Sequence, residues 1–119
     1  MTLVNERTRE RIASHVELAL TIKDRRRGLL GRRGLDAEAA LVLSPCLGVH
    51  TVGLPFAIDV VFIDRAGRAI HVVHELRPWR LAVSLRACAV IELAAGRLQT
   101  CPVERGDRLC LVTDGDQLC

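Results

Sequence analysis

The sequence predicts a mainly β protein of the α+β class: a compact, barrel-like sheet of antiparallel or mixed strands with one or two short helices. The chain has 119 residues, the size of one domain. Its apolar residues fall in short runs between turn residues, which is typical of strands, and only one segment spaces them as a helix does. Because strands outnumber helices, a closed sheet would leave the fewest unpaired edges. We expect a single domain over 1–119, with its core at about 14–113 and an N-terminal extension at 1–13.

The most apolar stretch, residues 57–64, predicts a strand. It is apolar on both faces, so the strand is expected to lie deep in the fold. Alternation predicts another strand at 15–20, with Val16, Leu18 and Leu20 buried. Further strands are predicted at 40–43, 69–74, 87–93 and 109–113, with a hairpin loop at 64–68 and an irregular excursion at 76–86.

One short helix is predicted after the strand at 15–20. Thr21 has the side chain of an N-cap, and Asp24 three residues later is its capping-box partner. Apolar residues then recur at helical spacing, so the helix is expected to reach Gly31 or Gly34. Structural roles in turns and caps are assigned to Thr21, Gly28, Gly96, Gly106 and Asp107.

The net charge of +3 comes from the first third of the chain. Residues 1–40 hold nine basic and six acidic side chains, whereas residues 41–119 hold eight of each. Arg-rich surfaces can bind nucleic acid, so weak binding through residues 7–33 is one hypothesis. Aromatic side chains, on which single-stranded bases stack, are only 3% of the chain, so a solvated Arg face is favoured.

The cysteines and the N-terminus indicate a reduced, cytoplasmic protein. The odd number of cysteines cannot all pair within the chain, and no C-x-x-C motif is present. The first residues lack the apolar segment of a signal peptide. We therefore expect free thiols, no metal and no other cofactor. Residues 39–58 are uncharged, but proline and glycine interrupt them, so no membrane span is expected. The cysteines are Cys46, Cys88, Cys101, Cys110 and Cys119.

Asp59 is the most informative single residue, because alternation places its carboxylate in the middle of the apolar strand at 57–64. The interpretation we favour is structural: the carboxylate accepts backbone N–H groups and fixes the preceding loop. The functional alternative is a pocket carboxylate that acts as a base or as a ligand anchor. Glu92, at the end of another apolar run, poses the same question.

The other candidates precede and follow Asp59. Cys46, His50 and Asp59 are the residue types of a nucleophile, a base and an orienting acid, but short spacing does not define such a triad. Thr51, next to His50, is assigned to the same pocket. Trp79 is the only Trp of the chain, and beside Arg80 it predicts either a wall over a pocket or an apolar plug at one end of the sheet; we favour the plug.

Several motifs, in their order along the chain, resemble a known family. They are Arg26-x-Gly28-Leu29-Leu30-Gly31-Arg32, Val49-His50-Thr51, Ile58-Asp59-Val60-Val61-Phe62-Ile63-Asp64, Pro78-Trp79-Arg80, Glu92-Leu93-Ala94-Ala95-Gly96 and Gly106-Asp107-Arg108-Leu109. Together they resemble the bacterial and archaeal family called domain of unknown function 192. The resemblance implies a small, mainly β, barrel-like fold and no established activity, cofactor or catalytic residue. Ala57 departs from the family pattern, in which Pro is usual.

Three functions are open at this stage. The first is a binding or accessory module for a small molecule or a partner protein, with a pocket that contains Cys46, His50, Thr51, Asp59, Trp79 and Arg80. The second is a small hydrolase or lyase in which His50 or Asp59 is the base and Cys46 the nucleophile. The third is weak nucleic-acid binding through residues 7–33. We expect no membrane partner.

Overall fold

The computed structural model of the chain describes residues 1–113 and the backbone of residues 116–118. The fold is mainly β, with two short helices and with strands in both antiparallel and parallel pairs. In chain order the elements are β1 (Thr2–Asn5), β2 (Arg11–Ala13), β3 (His15–Ala19), α1 (Ile22–Arg27), β4 (Ala39–Leu43), β5 (Gly48–His50), β6 (Ile58–Ile63), β7 (Ala69–Leu76), β8 (Leu81–Val83), β9 (Ala89–Ala94), α2 (Arg97–Thr100), β10 (Leu109–Thr113) and β11 (Asp116–Leu118).

The central sheet has the strand order β3-β4-β9-β6-β7. The β3–β4 pair is parallel and the other pairs are antiparallel. Five of the six residues of β6 are buried, which confirms that the apolar strand predicted at 57–64 lies deep in the fold. The strands predicted at 40–43, 69–74, 87–93 and 109–113 are also confirmed, as β4, β7, β9 and β10.

The outer sheet has the order β11-β10-β1-β2, so it joins the two ends of the described chain. Leu3 of β1 and Ile12 of β2 are 2% and 0% exposed and belong to the apolar core. The prediction that residues 1–13 are an extension outside the core is therefore wrong. These strands are too short to show periodicity, and β1 finds its partner, β10, about a hundred residues away, so the local pattern could not reveal them.

The small sheet consists of β5 and β8 in antiparallel pairing. It shows that part of the segment predicted as an irregular excursion at 76–86 is a strand. Leu81 and Val83, the alternate residues of this short strand, are exposed in the structure.

The central sheet is the middle layer, with an apolar cluster on each face. Alternate residues of β6 enter different clusters: Val61 packs with Leu3 of the outer sheet, whereas Val60 packs with Leu29 and Val49 on the opposite side. The three sheets form no closed barrel in the part of the chain that the structure describes, so the barrel-like detail of the prediction is not confirmed.

The segment that contains β3 and α1 differs from its prediction in two details. Leu18 and Leu20 are 38% and 56% exposed, and Ala19 is the buried residue, so the predicted burial of Leu18 and Leu20 is wrong. The helix begins at the Thr21 cap but ends at Arg27, before Gly31 and Gly34. Gly28 is the C-cap that ends the helix. Its φ of +46° lies in a region that residues with a side chain disfavour.

Three cysteines, Cys46, Cys88 and Cys101, are free thiols, whereas Cys110 is disulfide-bonded. The prediction that all the thiols are reduced is therefore wrong at Cys110, and Cys119 lies outside the described residues. Within residues 1–113 and 116–118, neither helix is long and apolar enough to cross a membrane.

Candidate functional site

Asp59 is a fully buried carboxylate whose oxygens both accept backbone N–H groups. Oδ1 accepts the N–H of Glu75 at 2.8 Å and Oδ2 accepts the N–H of Leu98 at 2.9 Å. The Leu98 N–H lies in the first turn of α2, whose N-cap Gly96 has no side chain to receive it. Asp59 therefore joins β6 to the end of β7 and to α2, and both of its oxygens are occupied by this structural task.

Thr51 is the second buried polar residue of the predicted pocket, and it holds the segment 77–80. Its Oγ1 donates to the carbonyl of Arg77 at 2.5 Å and accepts the N–H of Arg80 at 2.8 Å. Its backbone carbonyl accepts the N–H of Trp79 at 3.2 Å. The side chain of Trp79 is 69% exposed, so it is neither a plug nor the wall of an enclosed pocket.

The remaining predicted residues, Cys46 and His50, line a different cavity, the one that Glu92 faces. The Cys46 thiol donates to the carbonyl of Gly48 at 3.1 Å, and His50 is exposed on β5. No hydrogen bond among the described residues joins Cys46, His50 and Asp59, so the structure does not bring the three residue types together as a triad.

Glu92, on β9, is a buried carboxyl group of a different kind. Glu92 is 4% exposed, and its carboxyl group forms no hydrogen bond or ion pair with another described residue. Desolvation raises the pKa of the Glu92 carboxyl to about 7, and the positive charge of Arg32 offsets this only in part. At neutral pH the neutral acid and the ionised carboxylate of Glu92 are therefore both populated, so the group is able to exchange a proton.

Glu92 faces a cavity of about 80 Å³ between α1 and β5, several times the ~10–15 Å³ that one water needs. Three segments that are distant in sequence meet there: residues 25–30, residues 46–50 and β9. Gly28 lies beside the carboxyl, and a Cβ at this position would make an ordinary van der Waals contact of 3.8 Å with Oε1 of Glu92. The lining residues are Arg25, Arg26, Arg27, Gly28, Leu29, Leu30, Leu43, Cys46, Gly48, Val49, His50, Leu54 and Glu92.

The guanidinium groups on the wall of this Glu92 cavity are not equivalent. Arg25 donates to the carbonyls of Leu20 and Ser44, at 2.6 and 3.3 Å, and so ties α1 to the end of β4. Arg26 and Arg27 are exposed and make no ion pair with a described residue. They remain available to an anion that enters the cavity.

The Arg-rich segment 7–33 does not form one continuous cationic surface. Three of its arginines make ion pairs: Arg7 with Asp107, Arg11 with Glu38 and Arg32 with Glu17. The positive charge of the first third of the chain is thus partly neutralised by acidic residues that it contacts in the fold.

Asp107 has a structural role at the base of β10. It accepts hydrogen bonds from Asn5, from the Arg7 guanidinium and from the N–H of Glu104. The Arg7 guanidinium, against the opposing effect of burial, lowers the pKa of Asp107 to about 2. This cluster fixes β1 to the turn at Gly106, whose φ is +95°.

A larger, apolar groove of about 410 Å³ opens between the central and outer sheets, where Leu18 and Leu20 line it. Its one carboxylate, Asp64, accepts the N–H groups of Ala66 and Arg68 within its own turn. The groove therefore offers apolar contact but, unlike the Glu92 cavity, no unpaired buried polar group to orient a ligand.

In the described residues, His, Cys, Asp and Glu form no group of three or more that could hold a metal ion.

The geometry defines a small three-layer β protein with an unpaired acid in a cavity. The chain belongs to the family DUF192, described as an uncharacterized ACR, whose family model matches residues 3–111. No curated protein matches the chain.

Two solved structures are similar to the chain. A "putative transcription regulator" from Sinorhizobium meliloti 1021 is 23% identical, with a TM-score of 0.77 over 91% of this chain and 88% of that one. A protein of unknown function from Novosphingobium aromaticivorans DSM 12444 is 19% identical, with a TM-score of 0.75 over 91% and 81%. These likenesses show a shared fold.

The sequence singled out two carboxyl groups within apolar strands. Asp59, which was assigned to the pocket, has hydrogen-bond partners for both of its oxygens, whereas Glu92, which was not assigned to it, lines a cavity. Both have the same local signature, an acidic residue within an apolar strand. No pattern in the sequence reveals whether backbone N–H groups from distant elements will meet the carboxylate.

Proposed function

We propose that the protein is a binding module and that its ligand is a small oxyanion, such as a carboxylate, bound in the Glu92 cavity. The observation that carries the proposal is that Glu92 is buried without a hydrogen-bond partner among the described residues, while it faces a cavity. Buried polar groups in proteins are nearly always paired, so this one is expected to be paired by a molecule from outside the chain.

The charges around the cavity favour an anion over a cation. Arg26 and Arg27 line it, and Arg32 is close enough to act on the charge of Glu92. A ligand carboxylate would accept the proton of neutral Glu92 in a short, charge-assisted hydrogen bond and would be neutralised by the guanidinium groups. A cationic ligand would instead be repelled by the arginines that line its entrance.

The proposal requires binding to depend on pH in one direction. Neutral Glu92 donates to the ligand, whereas ionised Glu92 repels it. Because the pKa of Glu92 is about 7, affinity for an ionised carboxylate is expected to change little below pH 7, as long as the ligand stays ionised, and to fall about tenfold per pH unit well above pH 7.

Acetate and succinate serve as probes in a titration followed by the chemical shifts of backbone amides. Shifts are expected at residues 25–30 and 46–50 in the wild type, and they should be lost in Arg26→Ala/Arg27→Ala. In Glu92→Gln, whose amide does not ionise, the decline of binding above pH 7 should disappear. Glu10→Gln, the same change on an exposed residue, is the matched control and should titrate as the wild type does.

Shifts confined to the apolar groove, or binding with no pH dependence, would contradict the proposal. Equal binding of acetate and of an ammonium compound such as ethylamine would also contradict it, because the charge argument would then be wrong.

A second candidate function, acid–base catalysis in a hydrolase or lyase, is favoured by one observation: the raised pKa of Glu92 suits a general acid or base near neutral pH. In this version Glu92 takes the role that the sequence gave to His50 or Asp59. The Cys46 thiol donates its proton to a carbonyl, so it is a poor nucleophile and should react slowly with iodoacetamide.

Hydrolysis of p-nitrophenyl acetate separates the two functions. A catalyst should lose turnover in Glu92→Gln and keep it in Cys46→Ser, whereas a binding module should show no turnover above that of Glu92→Gln. The description of the Sinorhizobium protein as a regulator would fit nucleic-acid binding, which we rank below both because the Arg-rich segment is broken up by ion pairs.

A further inference from the structure

The connection between β7 and β8 is held in a backbone conformation that its side chains disfavour. Glu75 and Trp79 have φ values of +50° and +63°, a region that bulky residues rarely adopt. Such strain persists only where the surrounding structure enforces it, and it is concentrated at functional sites. Here Asp59 and Thr51 enforce it, through the N–H of Glu75 and through the hydrogen bonds to Arg77, Trp79 and Arg80 described above.

This connection leads into an exposed apolar surface, which we name the β8 face: Trp79, Leu81, Val83 and Leu85. The four residues are between 45% and 82% exposed. Two further exposed residues, Leu47 and Val52, lie in the adjoining β5 segment. Six of the eleven exposed large apolar residues of the described chain thus belong to the two segments 47–52 and 79–85. Single exposed apolar residues are ordinary, but a cluster of this kind indicates an interaction surface.

The backbone of β8 has one unpaired edge. Val49 is opposite Ala82, and the flanking bonds run from Thr51 N–H to the Arg80 carbonyl and from Ser84 N–H to the Leu47 carbonyl. The hydrogen-bonding groups of Arg80, Ala82 and Ser84 therefore point toward β5. Those of Leu81 and Val83 point away from it, because the direction alternates along an antiparallel strand. Since β8 has no second neighbour among the described strands, these groups are open to a further strand.

The chain segments that form the β8 face carry positive charges and no negative ones. Residues 76–91 contain Arg77, Arg80 and Arg86 and no acidic residue, and residues 39–58 contain no charged residue. The three arginines are exposed and make no ion pair with a described residue. A partner that fits this surface must combine apolar side chains with negative charge.

We propose that an extended acidic segment of a partner protein binds to the β8 face by adding a strand to the free edge of β8. Its main chain pairs with the N–H and carbonyl groups of Leu81 and Val83. Its apolar side chains pack on Trp79 and on the outer side of β8, and its acidic side chains meet the flanking arginines. This surface is distinct from the Glu92 cavity, and the proposal does not depend on the ligand of that cavity.

Selection from a phage library of short random peptides tests this proposal with the full chain as bait. The enriched peptides should alternate apolar residues with Asp or Glu, and a synthetic copy in which Lys replaces the acidic residues should bind at least about tenfold more weakly. In Val83→Pro the edge N–H is removed while the bonds to β5 remain, so binding of the acidic peptide should fall by a similar factor.

Two more variants serve as checks, the first against misfolding and the second against a general effect of charge. Trp79→Gly removes the indole at a position whose positive φ suits glycine, so the variant should fold and yet bind the peptide more weakly. Arg105→Glu changes a charge outside the β8 face and should bind as the wild type does. Enriched peptides without acidic residues, or binding that Val83→Pro leaves unchanged, would overturn the proposal.

The other occupants of the β8 face give different results. A wild-type dimer that becomes a monomer in Val83→Pro would show that a second copy of the chain covers the edge. Retention on phosphatidylglycerol vesicles that is lost in Trp79→Gly but kept in Val83→Pro would show a lipid surface instead. Either result would overturn binding of an acidic partner strand.

Discussion

Asp59 and Glu92 are buried carboxyl groups on adjacent strands of one sheet, yet they occupy opposite environments. Val60, not Asp59, is opposite Glu92, so the two side chains point to opposite faces of the central sheet. Asp59 accepts two backbone N–H groups, whereas Glu92 accepts none from the described residues and faces a cavity. The comparison teaches that burial alone does not separate a structural carboxylate from a functional one. The decisive property is whether the fold supplies its partners.

The largest effect is expected from Asp59→Asn. The amide can keep one of the two N–H groups but must turn its own NH₂ toward the other, so the free energy of unfolding should fall by about 3–4 kcal/mol. Urea denaturation measures the change, with Asp36→Asn on the surface as the control. A loss below about 1 kcal/mol would mean that the two hydrogen bonds do not hold β7 and α2, and the comparison with Glu92 would fail.

Glu92→Gln should have the opposite sign and should depend on pH. A carboxyl whose folded-state pKa is raised binds more protons when folded, so the wild type is fully stable below its unfolded pKa, about 4.5, and loses stability as the pH rises through about 7. The variant lacks this titration. It should match the wild type near pH 4 and exceed its free energy of unfolding by about 3 kcal/mol at pH 8.

Unfolding in urea at several pH values measures this difference. A variant less stable than the wild type at pH 8 would show that ionised Glu92 has a partner that stabilises it. Glu92 would then belong with Asp59, and the case for a ligand in the cavity would lose its main support.

Thr51→Val tests a second buried polar group that, like Asp59, has hydrogen-bond partners: Thr51 holds the loop at residues 77–80. The substitution keeps the shape of the side chain but leaves the partly buried N–H of Arg80 without its acceptor, so the free energy of unfolding should fall by about 2 kcal/mol. Hydrogen exchange should accelerate first at residues 77–80. Faster exchange spread evenly over the central sheet would instead show that Thr51 supports the core rather than the strained loop.

The smallest effect is expected from Thr21→Ala, which removes the cap of the helix that covers Glu92. Loss of the hydrogen bond from the Asp24 N–H should cost about 1 kcal/mol. If α1 seals the cavity, better hydration should also bring the pKa of Glu92 down from about 7, as a carbon-detected NMR titration of the carboxyl would record. Thr8→Ala, which removes the exposed hydrogen bond from the Glu10 N–H to Thr8 Oγ1, is the control and is expected to leave that pKa unchanged.

The predictions from sequence succeeded where the physical signal is local. The strand at 57–64 is apolar on both faces, and the cap formed by Thr21 and Asp24 spans four residues, so neither needs distant contacts to be recognised. They failed for β1, whose partner is near the other end of the chain, and for Leu18 and Leu20, which line an open groove rather than the core. Alternation gives the side of a strand on which a residue lies, but not what covers that side.

The sequence by itself determined a mainly β protein with one capped helix and with acidic residues placed within apolar strands. Only the tertiary structure decided which of those acids was satisfied. Asp59 receives N–H groups from residues 16 and 39 positions away, whereas Glu92 meets a cavity lined by Gly28 and its neighbours. The physical reason is that the cost of burying a carboxylate is local, but the hydrogen bonds that offset it come from elements that only folding brings together.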